Sequence, residues 1–201
     1  MVINTASMLV VLGVGLWCAT LRESRIGSLI RQLGAALAML VGGLTLVEYA
    51  MQVDLAIDLL LPFEHQRNQS GPFPGRMAPA TALCILLSGL SLLLLKSRSL
   101  LSQAFAVSTL FIGLMALIGY VFDVSALYTV GLYTSMAIHT ALALSLLSTG
   151  VLALQQNSEM VELLISDTAG GSMARSMLAS VPLVILSIGG VLLAGEMLGY
   201  Y

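Results

Sequence analysis

His139 is one of only two histidines in the 201-residue chain, and it stands in the apolar phrase Met-Ala-Ile-His-Thr-Ala-Leu at 136–142. An imidazole in such surroundings has three chemistries open to it. It can stay neutral and hydrogen-bond a nearby hydroxyl or carbonyl, ligate haem or a metal ion, or act as a proton-sensitive switch. Met136, three residues earlier, shares a helical face with it, and a Met/His pair suits a soft metal such as copper. Tyr133 precedes it by six residues; His65, the second histidine, and Met77 are the further residues from which haem or copper ligation would draw. Two carboxylates, Glu48 and Glu196, also lie in apolar surroundings. Each needs a partner if buried, and Arg76 is available for one. Together with Glu64 and Asp123, these groups predict a polar pocket on one side of the molecule, with His139 at its floor.

The phrase around His139 occurs twice. Fifty-nine residues earlier the chain reads Met-Ala-Pro-Ala-Thr-Ala-Leu at 77–83, identical at five of seven positions, so that Met77 and Thr81 correspond to Met136 and Thr140. Small residues at helical spacing let helices approach closely in lipid, which accounts for the shared Ala and Thr. Pro79 suits a helix's first turn, where its missing N–H costs nothing. Packing does not require the histidine, which replaces Ala80 of the first copy. The ligand-sensing candidates are therefore His139, Thr140, Met136, Arg76, Met77, Thr81, Glu48, Tyr133 and Glu196. No catalytic residues are assigned, because the chain carries no Walker loop, nucleotide-binding glycine motif, HExxH or nucleophile elbow. It reads as a non-enzyme. Cys18 and Cys84 stand alone in apolar runs with no metal-binding spacing, and are read as packing residues.

The elements that must position these residues are membrane helices. Apolar residues make up 58% of the chain and charged residues 9%, with a mean hydropathy of +1.00. A soluble domain carries about 25% charged residues, so the composition predicts an all-α integral membrane bundle. The net charge of −2, with no basic stripe, excludes a nucleic-acid partner. Stretches near the ~20 residues needed to cross a bilayer place about six transmembrane helices at 4–21, 29–51, 78–95, 101–122, 129–154 and 178–199. All belong to one module, 1–201, with an outer loop at 52–77. Arg22, Arg25, Arg31, Lys96, Arg98 and Arg175 fall on one side against Arg67 and Arg76 on the other. The positive-inside rule then puts the N-terminus outside. His139 would lie about 15 Å into the fifth span, at 1.5 Å per residue. The first copy of the phrase begins the third span and the second lies within the fifth, both running in the same direction, which predicts a parallel internal repeat. With six spans Tyr201 ends outside, so a cytoplasmic output domain would need one more crossing.

Three segments carry a family resemblance: Gly75 to Leu95, Met136 to Leu152, and Asp167 to Tyr201. In that order they resemble the N-terminal multi-span membrane region of bacterial PAS-containing sensor histidine kinases and diguanylate cyclases. The residues that fit the pattern are Gly75, Arg76, Met77, Thr81, Met136, His139, Thr140, Gly170, Gly171, Arg175, Gly199 and Tyr200. About two-thirds of the chain is covered, and the first fifty residues contribute little. The resemblance implies a sensory input domain of a signal-transduction protein of the two-component or cyclase type, in the bacterial inner membrane. It implies a cytoplasmic signalling domain in cis and dimerisation through membrane helices. No output domain lies within these 201 residues, so kinase or cyclase activity is not expected of this chain. A haem- or metal-binding redox membrane protein using His139 and a small transporter are the alternative readings.

Overall fold

Hydrogen-bonding Ser and Pro residues punctuate the apolar runs and set where helices begin. A computed structural model of the chain describes residues 2–21, 24–53, 76–122, 135–155, 166–173, 175, 176, 180, 184 and 187. Five helices are complete: α1 (Ile3–Thr20), α2 (Arg25–Met51), α3 (Pro79–Leu94), α4 (Ser99–Val121) and α5 (Ile138–Ala153). Helical backbone resumes at 169–173 and recurs at 175, 176, 180, 184 and 187. The fold is all-α. Helices α1, α2 and α4 are long and apolar enough to cross a membrane, and α3 and α5 are shorter apolar helices of 16 residues each. The chain is a multi-pass membrane protein.

Helix starts differ from the sequence reading in two informative places. Ser24 caps α2, its Oγ accepting from the Gly27 N–H at 2.9 Å, and one satisfied first-turn donor is enough to start the helix there. Helix α2 thus begins at Arg25 rather than 29, and Arg31 lies inside it. Pro79 does occupy the first turn of α3. Helix α5 begins only at Ile138, and residues 135–137 before it are not helical. His139 is consequently the second residue of α5, and the helix expected through 135–137 does not form there. The segment 129–134, the loop residues 54–75 and the end of the sixth span lie outside the described residues, and with them Tyr133, Glu64, His65, Arg67 and Glu196.

Helix α2 packs across α1 and α3, α4 packs across α3 and α5, and α1, α3 and α5 touch one another. The three odd-numbered helices therefore form the centre and run in the same direction. A β-carbon placed on Gly15 would meet the Leu92 side chain at 3.6 Å, and one on Gly150 would meet Leu16 at 2.7 Å. These contacts join the final turns of α1, α3 and α5. We call this the turn end, and the opposite end, where α1, α3 and α5 begin, the start end. Met8, Leu12, Ile85, Leu92, Leu147 and Val151 from the three central helices share one core with Ala35, Ala38 and Ala106 of the flanking pair.

Burial shows that the repeat extends well beyond the short phrase. Helix α2 buries Arg31, Ala35, Ala38, Gly42, Thr45 and Glu48. At the same spacing α4 buries Ser102, Ala106, Thr109, Gly113, Ala116 and Gly119. Likewise Thr81, Ala82, Ile85, Ser88, Gly89 and Leu92 of α3 correspond to Thr140, Ala141, Leu144, Leu147, Ser148 and Val151 of α5. The α2–α3 and α4–α5 pairs are two copies of one antiparallel unit, both pointing the same way. Glycine sets how closely each unit closes. A β-carbon on Gly42 would sit 2.7 Å from the Ala82 carbonyl oxygen, and one on Gly89 2.7 Å from that of Ala35. In the second unit a β-carbon on Gly113 would sit 2.5 Å from Ser145 Oγ and 3.2 Å from the Ala141 carbonyl oxygen.

Candidate functional site

Two small residues per unit bring the helices together; what they bring together at the start end is a set of polar clamps. In the first unit the last turn of α2 presents Glu48 and Tyr49 to the residues preceding α3. Arg76 Nε lies 3.5 Å from Glu48 Oε2, with both side chains essentially inaccessible at 1% and 0% exposure. The Arg76 guanidinium also stacks over the Tyr49 ring, 5.3 Å from its centroid. The Tyr49 hydroxyl donates to the Met77 carbonyl at 2.9 Å, and Arg76 Nη2 donates to the Val53 carbonyl at 3.3 Å. An arginine in low dielectric is costly unless charge-paired and hydrogen-bonded. Here it has a carboxylate, a π face and a carbonyl.

The second unit repeats the clamp without the charges. The Tyr120 hydroxyl donates to the Met136 carbonyl, as Tyr49 does to Met77. Tyr49 and Tyr120 occupy equivalent positions in α2 and α4, but the residue before Tyr120 is Gly119 where the first unit has Glu48. Met77 and Met136 are fully buried, and Thr81 and Thr140 are 3% and 2% exposed. Of the sequence candidates, Glu48, Arg76, Met77, Thr81, Met136 and Thr140 are thus buried at the start end, four of them in the first unit and two in the second.

His139 is placed differently. It is exposed on the first turn of α5, whereas Met136 is buried in the non-helical stretch before the helix. The common helical face supposed for a Met/His metal pair does not form, because only one of the two residues is helical. Among the described residues no group of three or more His, Cys, Asp or Glu gathers to hold a metal ion. His65, Tyr133 and Glu196 lie outside the described residues.

The turn end holds polar residues that sequence reasoning passed over. Arg31, counted there simply as a basic residue flanking a loop, is 2% exposed and donates through Nη1 to the Leu92 carbonyl at the end of α3. Ser91 and Ser102 join α3 to α4 through reciprocal hydroxyl-to-carbonyl hydrogen bonds, each 2.7 Å. Gln155, just beyond α5, donates through Nε2 to Ser102 Oγ at 2.7 Å. The Tyr clamps had a usable sequence signal, a tyrosine in the last turn of the helix preceding each Met-Ala-x-x-Thr-Ala-Leu phrase. The Arg31 contact had none, since nothing in sequence pairs it with a carbonyl 61 residues away. Comparison with protein families, with curated proteins and with solved structures yields no match to this chain.

Proposed function

We propose that the chain is a membrane-embedded sensory input module that relays a membrane or start-end signal through displacement of its helices, in a bacterial signal-transduction protein of the histidine kinase or diguanylate cyclase type. The observation that carries this reading is the double clasp on α3. Its beginning is held by Tyr49 and Glu48 and its end by Arg31, all three on α2. A perturbation that releases the Arg76–Glu48–Tyr49 cluster removes the restraint on one end of α3. The rigid helix then transmits the change to the carbonyl and serine contacts at the other end. Such a relay needs two packings that a stimulus stabilises unequally, and clasps of a few hydrogen bonds suit a small free-energy gap. In this reading the start end faces outward, the turn end faces the cytoplasm and a signalling domain in cis reads the movement.

The test is a distance measurement. Arg25 and Lys96 are both exposed at the turn end. Spin labels at these positions, in protein whose Cys18 and Cys84 are replaced by Ala, report the spacing of α2 from the end of α3. With the protein in nanodiscs, pH, osmolality, lipid composition and halide concentration are varied in turn. At least one stimulus is expected to shift the distance distribution. Invariance under all four would remove the sensory reading.

A further inference from the structure

The start of α1 shares the Thr-Ala pair of the phrase that opens α3 and α5. Val2-Ile3-Asn4-Thr5-Ala6, Ala78-Pro79-Ala80-Thr81-Ala82 and Ala137-Ile138-His139-Thr140-Ala141 align from N-cap to fourth helical residue. The three N-caps share one backbone conformation, with φ/ψ of −78°/147° at Val2, −58°/144° at Ala78 and −71°/144° at Ala137. Each helix has threonine as its third residue. The turn-end contacts Gly15–Leu92 and Leu16–Gly150 fix the relative heights of the helices. Counting back, Thr5, Thr81 and Thr140 each lie ten or eleven residues from those contacts, so the three threonines form one layer across the parallel core.

These threonines are 3%, 3% and 2% exposed, and among the described residues none of their hydroxyls has a hydrogen-bond partner. Among the other buried hydroxyls of the described residues Ser88 Oγ likewise has no partner, and the rest are satisfied. Thr45, Thr109, Ser145 and Ser148 all donate to the carbonyl four residues back. For Thr81 and Thr140 that carbonyl belongs to Met77 and Met136, where the tyrosine clamps already bond. Side chains on a helix lean toward its N-terminus, which aims the three hydroxyls at the start end. No side chain caps any of the three helix starts. Three parallel dipoles therefore bring partial positive charge, roughly half an elementary charge each, to this layer. The Arg76–Glu48 pair adds no net charge to it.

Donor hydroxyls, uncapped helix starts and a low-dielectric setting favour negative charge. The fully buried Met77 and Met136 at the same end admit only a small occupant. We propose that Thr5, Thr81 and Thr140 form a binding site for one small monovalent anion of the halide class. The site stands independently of any sensory role, since an anion that binds without moving α3 would leave this proposal intact.

The experiment uses the purified 201-residue chain in nanodiscs, with bromide, chloride, phosphate and gluconate at equal ionic strength and two lipid compositions. Bromide and chloride are expected to raise the thermal unfolding midpoint above that in gluconate and to broaden the ³⁵Cl or ⁸¹Br resonance in solution. Thr81→Val and Thr140→Val keep side-chain shape and remove one donor each, and each is expected to weaken halide binding about tenfold. Thr149→Val, outside the layer, is expected to leave it unchanged and controls for folding. Equal midpoints and unbroadened resonances in halide and gluconate would overturn the proposal, leaving water as the occupant. A response confined to phosphate or to anionic lipid would overturn it in favour of a headgroup, and unaltered halide binding in both valine variants would also overturn it.

Discussion

At the residue scale the decisive group is Arg76. Its charge is buried against Glu48 at 3.5 Å with Tyr49 stacked beneath it, so the two charges answer each other and neither is tolerable alone. Breaking a buried pair by removing one member costs about 3–5 kcal/mol, whereas replacing both with apolar groups is frequently near neutral. Glu48→Leu and Arg76→Met are each expected to destabilise the protein by about 3 kcal/mol, and the double variant by less than either. Thermal or steric-trap unfolding in detergent measures all three, and additive losses would show that the pair is not coupled. This partnership was legible from sequence, because a carboxylate and an arginine flank the same loop in an otherwise apolar chain. The place of His139 was not. Its depth was inferred from continuous helix beginning near 129, and helix α5 in fact starts at Ile138. Neither the tyrosine clamp nor the non-helical residues before Ile138 leave a mark in hydropathy.

Element by element, the alternation of central and flanking helices follows from small residues. Without a hydrophobic driving force between helices in lipid, close backbone approach is the main source of association. Gly42 and Gly89 supply it reciprocally between α2 and α3. Adding a methyl group at either would drive it into a carbonyl oxygen, and separating the helices to relieve that costs about 1–3 kcal/mol. Gly13 on α1 is the control, because a β-carbon there meets nothing within 4 Å. Gly89→Ala and Gly42→Ala are expected to lower the unfolding midpoint. Gly13→Ala is expected to raise it slightly, since alanine is the better helix former by about 1 kcal/mol. The same sign for all three would show that helix propensity outweighs packing here. Sequence placed the five helices to within a few residues, except at the start of α5. It showed a seven-residue trace of the repeat with a weak continuation at Leu87/Leu146 and Leu95/Leu154, because the equivalent buried positions of α2 and α4 share size and spacing more than identity. Arg31 answers to Ser102 and Glu48 to Gly119.

For the molecule as a whole, the internal repeat accounts for both the architecture and its asymmetry. Two copies of an antiparallel pair, laid side by side with α1, place three parallel helices at the centre, their first turns at one end and their last at the other. The copies diverged unevenly. The first keeps an ion pair in its start-end clamp, while the second has glycine there and an exposed histidine on the next helix. A module built this way has two chemically distinct ends, as the proposed relay requires. Under the proposed reading the turn end faces the cytoplasm, the side on which the positive charge of Arg25, Lys96 and Arg98, all exposed there, would be retained. In protein with Cys18 and Cys84 replaced by Ala, Ser97→Cys in the α3–α4 turn is expected to react with a membrane-impermeant maleimide only in inverted vesicles. Ser135→Cys, exposed before α5, is expected to react in intact spheroplasts. The opposite pattern would invert the molecule, placing the Arg76 cluster and the threonine layer on the cytoplasmic side. Reaction of both on one side would break the alternation of α3 and α4 that the clamps at the two ends require.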